Sequence, residues 1–248
     1  MAGHSKWAQI KHKKAVTDAR RGAHFTKLAR AIQVAAREGG GDPAGNAALA
    51  NAVQKAKDAR MPKDNIERAI AKGTGADSDA QAIETVVYEG YGPGGVAVLV
   101  EALSDNRNRT GAEIRHIFTR GGGSLGEPGS VAWVFEKKGI AVVDAERFSE
   151  DDLVVAIDAG AEDVVIDEGV YEIVTAPGDL AAVRSALERA GIELESAEVT
   201  MRPTSRVRVE ESQVGSLMRL LDALEDHDDV AAVHANFDAD TAVLERVS

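Results

Sequence analysis

The sequence predicts an α+β protein: a helical N-terminal domain followed by two ferredoxin-like α/β domains, one inserted in the other. Three observations predict it. Apolar residues recur at helical spacing through residues 23–73. From about residue 84 the period shortens to strand-like runs. Residues 139–199 then read strand, helix, strand, strand, helix, strand, between segments that complete a second copy of that order. The expected boundaries are 1–80 for a basic tail and small helical domain, 81–136 plus 205–248 for a discontinuous ferredoxin-like domain, and 137–204 for the inserted one.

Taken in order, Phe25, Leu28, Ala29, Ile32 and Ala36 form one face of a first helix over 23–38, which Gly39-Gly40-Gly41 ends. Asp42-Pro43 offers an N-cap and a first-turn proline for a second helix with Leu49, Val53 and Ala56 inward. Met61-Pro62 breaks that helix, Asp64 and Glu67 form a capping-box variant for a third, and Gly73 stops it. "KGTGADSDAQ" reads as a linker. "TVVYE" and "VAVLVEAL" are strand-like, and "RTGAEIRHIFTR" is a helix with Ile114, Ile117 and Phe118 on one side.

In the inserted domain the elements are a strand at Ile140–Val143, a helix capped by Ser149 and ending at Gly160, a hairpin of Val164–Asp167 and Tyr171–Thr175, a helix from Asp179 to Gly191, and a strand at Ile192–Val199. The outer copy takes a strand 96–103, a helix 108–120 and a strand 131–136 before the insertion, then a strand 206–210, a helix 212–225 and a strand 231–237 after it. An insertion at the hairpin between middle strands costs little, because the chain ends there lie close together.

Composition bounds the chemistry. The chain has 248 residues and no Cys, which removes disulfides, thiolate nucleophiles and Cys-based zinc or iron–sulfur sites. Aromatic residues are 4% of the total, so a large aromatic-lined cofactor cavity is not expected, and no cofactor is. No purely apolar run is longer than Val96–Val100, far short of the ~18 residues of a membrane span. The basic N-terminus lacks the apolar stretch of a secretory signal, so the expected location is the cytoplasm, with no membrane partner.

Several motif matches fail on context. "GYGPGG" fits GxGxxG, but a β-branched run follows it where a helix N-terminus would have to hold a pyrophosphate. A hairpin connection is expected there. "GGSLG" fits GxSxG, yet it follows a helix rather than a strand, against the geometry of a nucleophile elbow. His4, His12 and His24 do not stand at helical spacing to one another and have cationic neighbours, so no metal site is expected. No residue is assigned a catalytic role. In "SDNRNRT", Arg107 and Arg109 open a helix, the end that favours anions; they serve either a bound phosphate or a surface ion pair.

Charge distribution is the strongest functional signal. Residues 1–80 hold 15 Lys and Arg against 8 acids, a net of +7, whereas residues 81–248 hold 14 against 33, a net of −19. Within residues 5–30 stand eight cations, Lys6, Lys11, Lys13, Lys14, Arg20, Arg21, Lys27 and Arg30, against the single acid Asp18. Such a run self-repels unless a polyanion neutralises it by counterion release, which points to DNA, RNA or both. Trp7 and Phe25 are candidate stacking residues, with Phe25 better placed for the helical core. Arg107, Arg109 and Arg115 are weaker candidates for phosphate contact. A basic protein is the expected partner of the acidic domains.

Four segments, "MAGHSKWAQIKHKKAVTDARRGAHFTKLAR", "ARMPKDNIERAIAKGTG", "YEGYGPGGVAVLVEALSDNRNRT" and "GGSLGEPGSVAWVF", resemble the signature segments of the YebC/PmpR family over nearly the whole chain. Ala31 departs from that pattern, which usually has Glu. The resemblance implies three domains, helical then two α/β, and a cytoplasmic DNA-binding transcriptional regulator. It also implies an alternative, since other members, mitochondrial ones included, look like translation activators at the ribosome: a translation factor holding rRNA through its basic N-terminal segment. An enzyme acting on a phosphorylated small molecule would need a closed pocket around Arg107.

Overall fold

The computed structural model describes residues 18–75, 83–167 and 169–247, with side chains from residue 22 onward apart from residue 245. Contacts divide the chain into two compact units, one over Phe135–Thr204 and the other combining the residues before Phe135 with those after Thr204.

The larger unit begins with three helices: α1 (Asp18–Gly39), α2 (Ala47–Asp58) and α3 (Lys63–Gly73). Leu28, Ile32 and Ala36 of α1 close on Leu49, Val53 and Ala56 of α2 and on Ile66 and Ala69 of α3, with Phe25 half-buried at the margin. Two helix starts differ from expectation. Helix α2 is capped by Asn46, not Asp42: Asn46 Oδ1 accepts from Leu49 N at 3.1 Å, while its Nδ2 donates to the Ala35 and Gly40 carbonyls. That one side chain serves both the end of α1 and the start of α2, whereas Asp42 only closes a turn onto Ala44 N. Helix α3 starts after Pro62 without a side-chain cap, and Glu67 pairs with Lys63 rather than completing a capping box.

Next come β1 (Glu84–Tyr91), β2 (Ala97–Ser104), α4 (Arg107–Arg120) and β3 (Ser124–Leu125). "GYGPGG" is the hairpin turn between β1 and β2, closed by Gly92 N donating to Val96 O, with Gly94 at φ 77°. After the smaller unit the chain returns as β8 (Val207–Arg208), α7 (Glu211–Glu225), β9 (Val230–Ala235), β10 (Phe237–Asp238) and α8 (Thr241–Val247). The sheet order is β3-β1-β2-β9, antiparallel throughout. Val98, Val100 and Ala102, alternate residues of β2, meet Ile114 and Phe118 of α4 and Leu217, Leu221 and Leu224 of α7.

Two expected strands are corrected. Residues 132–134 form a helical turn, and the chain from Phe135 pairs in the other unit's sheet; the edge position goes to two-residue β3. Residues 206–210 contribute only β8, which pairs in parallel with β10 outside the main sheet. The interior position expected for them belongs to β1, joined to β2 by a five-residue turn and paired with it from Glu84↔Ser104 to Tyr91↔Ala97. A local hairpin closes at far lower entropic cost than a pairing across an inserted domain.

The smaller unit holds β4 (Phe135–Asp144), α5 (Val154–Asp158), β5 (Ala161–Asp167), β6 (Val170–Thr175), α6 (Leu180–Arg189) and β7 (Leu194–Pro203). Its sheet order β5-β6-β4-β7 is the ferredoxin-like arrangement. Ser149 caps its first helical stretch in a capping box with Asp152, as its spacing predicts.

Candidate nucleic-acid interface

Of the expected cations, Lys6, Lys11, Lys13 and Lys14 lie outside the described residues, as do Trp7, His4 and His12. Arg20 and Arg21 stand in the first turn of α1. Lys27 and Arg30, about two and three turns further along, reach toward the turn that follows α7. The Lys27 ammonium donates to the Glu225 carbonyl at the C-terminal end of α7, where a cation is favoured by the dipole. Arg30 donates to Asp228 O at 3.1 Å and to Asp229 Oδ1 at 2.9 Å.

Asp229 is the centre of this junction, with 5% of its surface exposed. Its second oxygen accepts from Arg109 at 2.6 Å and from Thr110 at 2.7 Å. Asn106 N donates to Ser104 Oγ, and the Ser104 hydroxyl lies 2.7 Å from that of Thr110; since Thr110 gives its proton to Asp229, Ser104 donates to Thr110. Burial alone would raise the Asp229 carboxyl; bonds from Thr110 and Arg109, the Arg109 charge and the Arg30 bond outweigh it and hold it below the usual carboxylate range. Arg109 is correspondingly raised by its bond to Asp229.

"SDNRNRT" is thus largely a structural device, and Arg109 takes the ion-pair role, with Asp105 and Glu113 as further partners. Arg107 is exposed, and its backbone carbonyl accepts from the Tyr88 hydroxyl at 3.2 Å. The hollow beside it, about 380 Å³, is floored by the buried Ser104 and otherwise lined by exposed Glu84, Asp105, Asn106 and Asn108, so no closed phosphate pocket forms there. Arg115 is exposed on α4 and makes no ion pair among the described residues.

Glu113, His227 and Asp229 place ligand-type atoms within 4.8 Å of one another. Their bonding disfavours a metal. His227 Nδ1 accepts from Asp229 N, which puts the neutral ring's proton on Nε2, facing Glu113 Oε2 at 2.9 Å. Both ring nitrogens are committed, and Arg30 and Arg109 add positive charge.

A second buried carboxylate, Glu89, organises "GEPGSVAW". It accepts from three backbone amides, Gly129 at 2.6 Å and Val131 and Ala132 at 2.7 Å each. Burial would raise it, but the three amides hold it below the usual range. Gly129 sits at φ 87°, a left-handed conformation that glycine adopts without strain. The Tyr91 hydroxyl and Trp133 Nε1 then donate to the same carbonyl, Ser130 O, at 2.9 and 3.1 Å.

Sequence reasoning missed Asp229, Glu89, His227 and Trp133. Each works through partners 40 or more residues away or through an irregular loop, with no local period to mark it. The only signal was the density of Gly and Pro around Glu89.

No helix among the described residues is long and apolar enough to cross a membrane. Two family models cover most of the chain: the TACO1/YebC protein N-terminal domain matches residues 5–76, and the TACO1/YebC second and third domain matches 83–237. Similar proteins from Rubrobacter xylanophilus, 55% identical over 249 residues, and Desulfotalea psychrophila, 54% identical over 250, each aligned over the full length of both chains, are described as "Probable transcriptional regulatory protein". A crystal structure of a conserved hypothetical protein from Aquifex aeolicus superposes with a TM-score of 0.82 at 50% identity, covering 94% of this chain and 97% of that one. With matching domains at both ends and full-length relatives above half identity, the chain belongs to the TACO1/YebC family.

Proposed function

We propose that the chain is a non-enzymatic regulator of gene expression that holds DNA through its basic N-terminal segment. One observation carries this reading. Of the eight cations in residues 5–30, Lys27 and Arg30 are spent on mooring α1 to the acidic turn after α7. That contact fixes the root of the segment and leaves Lys6, Lys11, Lys13, Lys14, Arg20 and Arg21 upstream of it, a cationic lead that a polyphosphate would neutralise. Arg107 and Arg115 are secondary contacts on α4. The description of the relatives as transcriptional regulators supports duplex DNA as the target.

With about six phosphates engaged, affinity for duplex DNA should fall with salt at a log–log slope near −5. Anisotropy titration of the full chain against a labelled duplex, repeated with the six upstream cations changed to Gln, tests this. Unchanged affinity and slope in that variant would overturn the reading. A second reading, a translation factor holding rRNA, is favoured by the net of −19 over residues 81–248, which suits basic ribosomal proteins. Co-sedimentation with ribosomes at ~150 mM salt, without preference for any duplex sequence, would select it.

A further inference from the structure

We propose that the outer edge of β5 in the smaller unit is a docking surface for a protein partner that lays a strand of alternating apolar and basic residues along it. The inference stands apart from the nucleic-acid reading, since it concerns another unit and a ligand of opposite charge.

Residues 148–183 hold ten Asp and Glu and no Lys, Arg or His. This run is the counterpart of the cationic one at the N-terminus, and it self-repels for the same reason. It builds α5, β5 and β6. Lys138 of β4 reaches Glu162, and Arg202 of β7 reaches Glu172. Glu150, Asp151 and Asp158, in or just before α5, are exposed and make no ion pair among the described residues. The exposed large apolar residues of this unit all fall in the same run: Val154 and Ile157 on α5, at 53% and 48%, and Ile166 on β5, at 63%. Helix α5 packs on β5, so acidic charge and uncovered apolar surface share one side of the unit. Such a surface fits a partner that is both apolar and basic.

The edge position fixes how that partner binds. The sheet order β5-β6-β4-β7 gives β5 one strand neighbour, and the N–H and C=O groups along its other side are a template for a further strand. Val164 and Ile166 pair with Ile173 and Tyr171, which are buried under the helices, so both stand on the helix-covered face. Asp163 and Asp167 stand on the opposite face. An added strand therefore sets apolar side chains beside Val164 and Ile166 and basic ones beside Asp163 and Asp167. A second copy of β5 is a poor occupant, because the antiparallel register centred on Val165 opposes Asp163 to Asp167 twice. Nucleic acid and anionic lipid are repelled by the same carboxylates.

The probe is a fluorescent peptide of alternating Lys and Val, titrated by anisotropy against the full chain, with amide exchange followed in parallel. Saturable binding and slowed exchange at residues 164–167 are expected. A peptide with proline in place of each valine keeps the charge but loses strand donors, and should bind about 10-fold more weakly. Ile166→Lys changes a side chain already 63% exposed, so the fold survives, and it should weaken binding by about 10-fold through lost apolar contact and like charge. Asp163→Asn with Asp167→Asn should weaken it by about 3-fold at low salt and leave it unchanged at 1 M. Equal binding of the proline peptide, or protection spread evenly over the acidic segments, overturns the edge site. Tighter peptide binding and faster β5 exchange in the chain whose six upstream cations are Gln would make its own N-terminal segment the occupant and overturn a separate partner.

Discussion

Asp229 and Glu89 are both nearly buried in the same unit, at 5% and 7% exposure, yet they are neutralised in opposite ways. Asp229 is met by side chains: Arg30 from α1, and Arg109 and Thr110 from α4. Glu89 is met by three backbone amides of one loop. A carboxylate held by guanidinium groups ties together segments far apart in sequence, and its partners are cations that a phosphate could also engage. A carboxylate held by amides dictates the path of a single loop and has no mobile charge to exchange. The first arrangement therefore makes a joint, and the second makes a mould. The proposed nucleic-acid contact begins at the joint.

The sharpest way to break this contrast is to empty the mould. Glu89→Ala orphans three amides, each worth about 1–3 kcal/mol, so a stability loss of about 3 kcal/mol is expected in urea titration. The near-ultraviolet dichroism of Trp133 should fade with it. Glu89→Gln, which keeps an acceptor oxygen, should cost about half as much. A loss under about 1 kcal/mol for the alanine variant would mean that the loop holds its shape without the carboxylate. The joint should yield less. Asp229→Asn keeps hydrogen-bond acceptance but loses the charge, and Arg30 and Arg109, at 30% and 45% exposure, can turn to water. About 2 kcal/mol is expected. Its effect should be regional: amide exchange should quicken in α1 while β1 and β2 stay protected, and uniform quickening would argue against a joint.

The same division explains what was legible in the sequence. Helices and strands with a clean apolar period, such as Leu28, Ile32 and Ala36 in α1 or Val214, Leu217, Leu221 and Leu224 in α7, fall where their spacing puts them. The rejected GxGxxG match is a hairpin because the chain from Ala97 runs as a strand. What the period could not show was partnership. Nothing in "RVRVE" says that only two of its residues will pair, nor that β1 will occupy the interior of the sheet; that outcome depends on competition between a short hairpin and a long closure. Nor does a charge run disclose which cations face inward. Lys27 and Arg30 are taken up by Glu225 and by Asp228 and Asp229, partners nearly 200 residues away that the run itself does not announce. Glu89 was invisible for the related reason that its partners are amides, which every residue but proline carries.

Acid titration should expose the smallest effect and still tell the two carboxylates apart. Both are held below their ordinary range. A depressed group contributes stability that is fully present above its unfolded value, about 3.9 for Asp and 4.3 for Glu, and that is lost as pH falls through the folded value. Stability should therefore be insensitive to these two groups between pH 7 and 5 and decline below about pH 4. Glu89→Gln and Asp229→Asn should each make that decline shallower. Salt then separates them: the Asp229 contribution rests on partly exposed guanidinium charges and should shrink at 1 M salt, where screening acts within about 3 Å, whereas the amide-held Glu89 contribution should persist. Equal salt sensitivity of the two acid slopes would mean that joint and mould draw on the same electrostatics, and the contrast between them would fail.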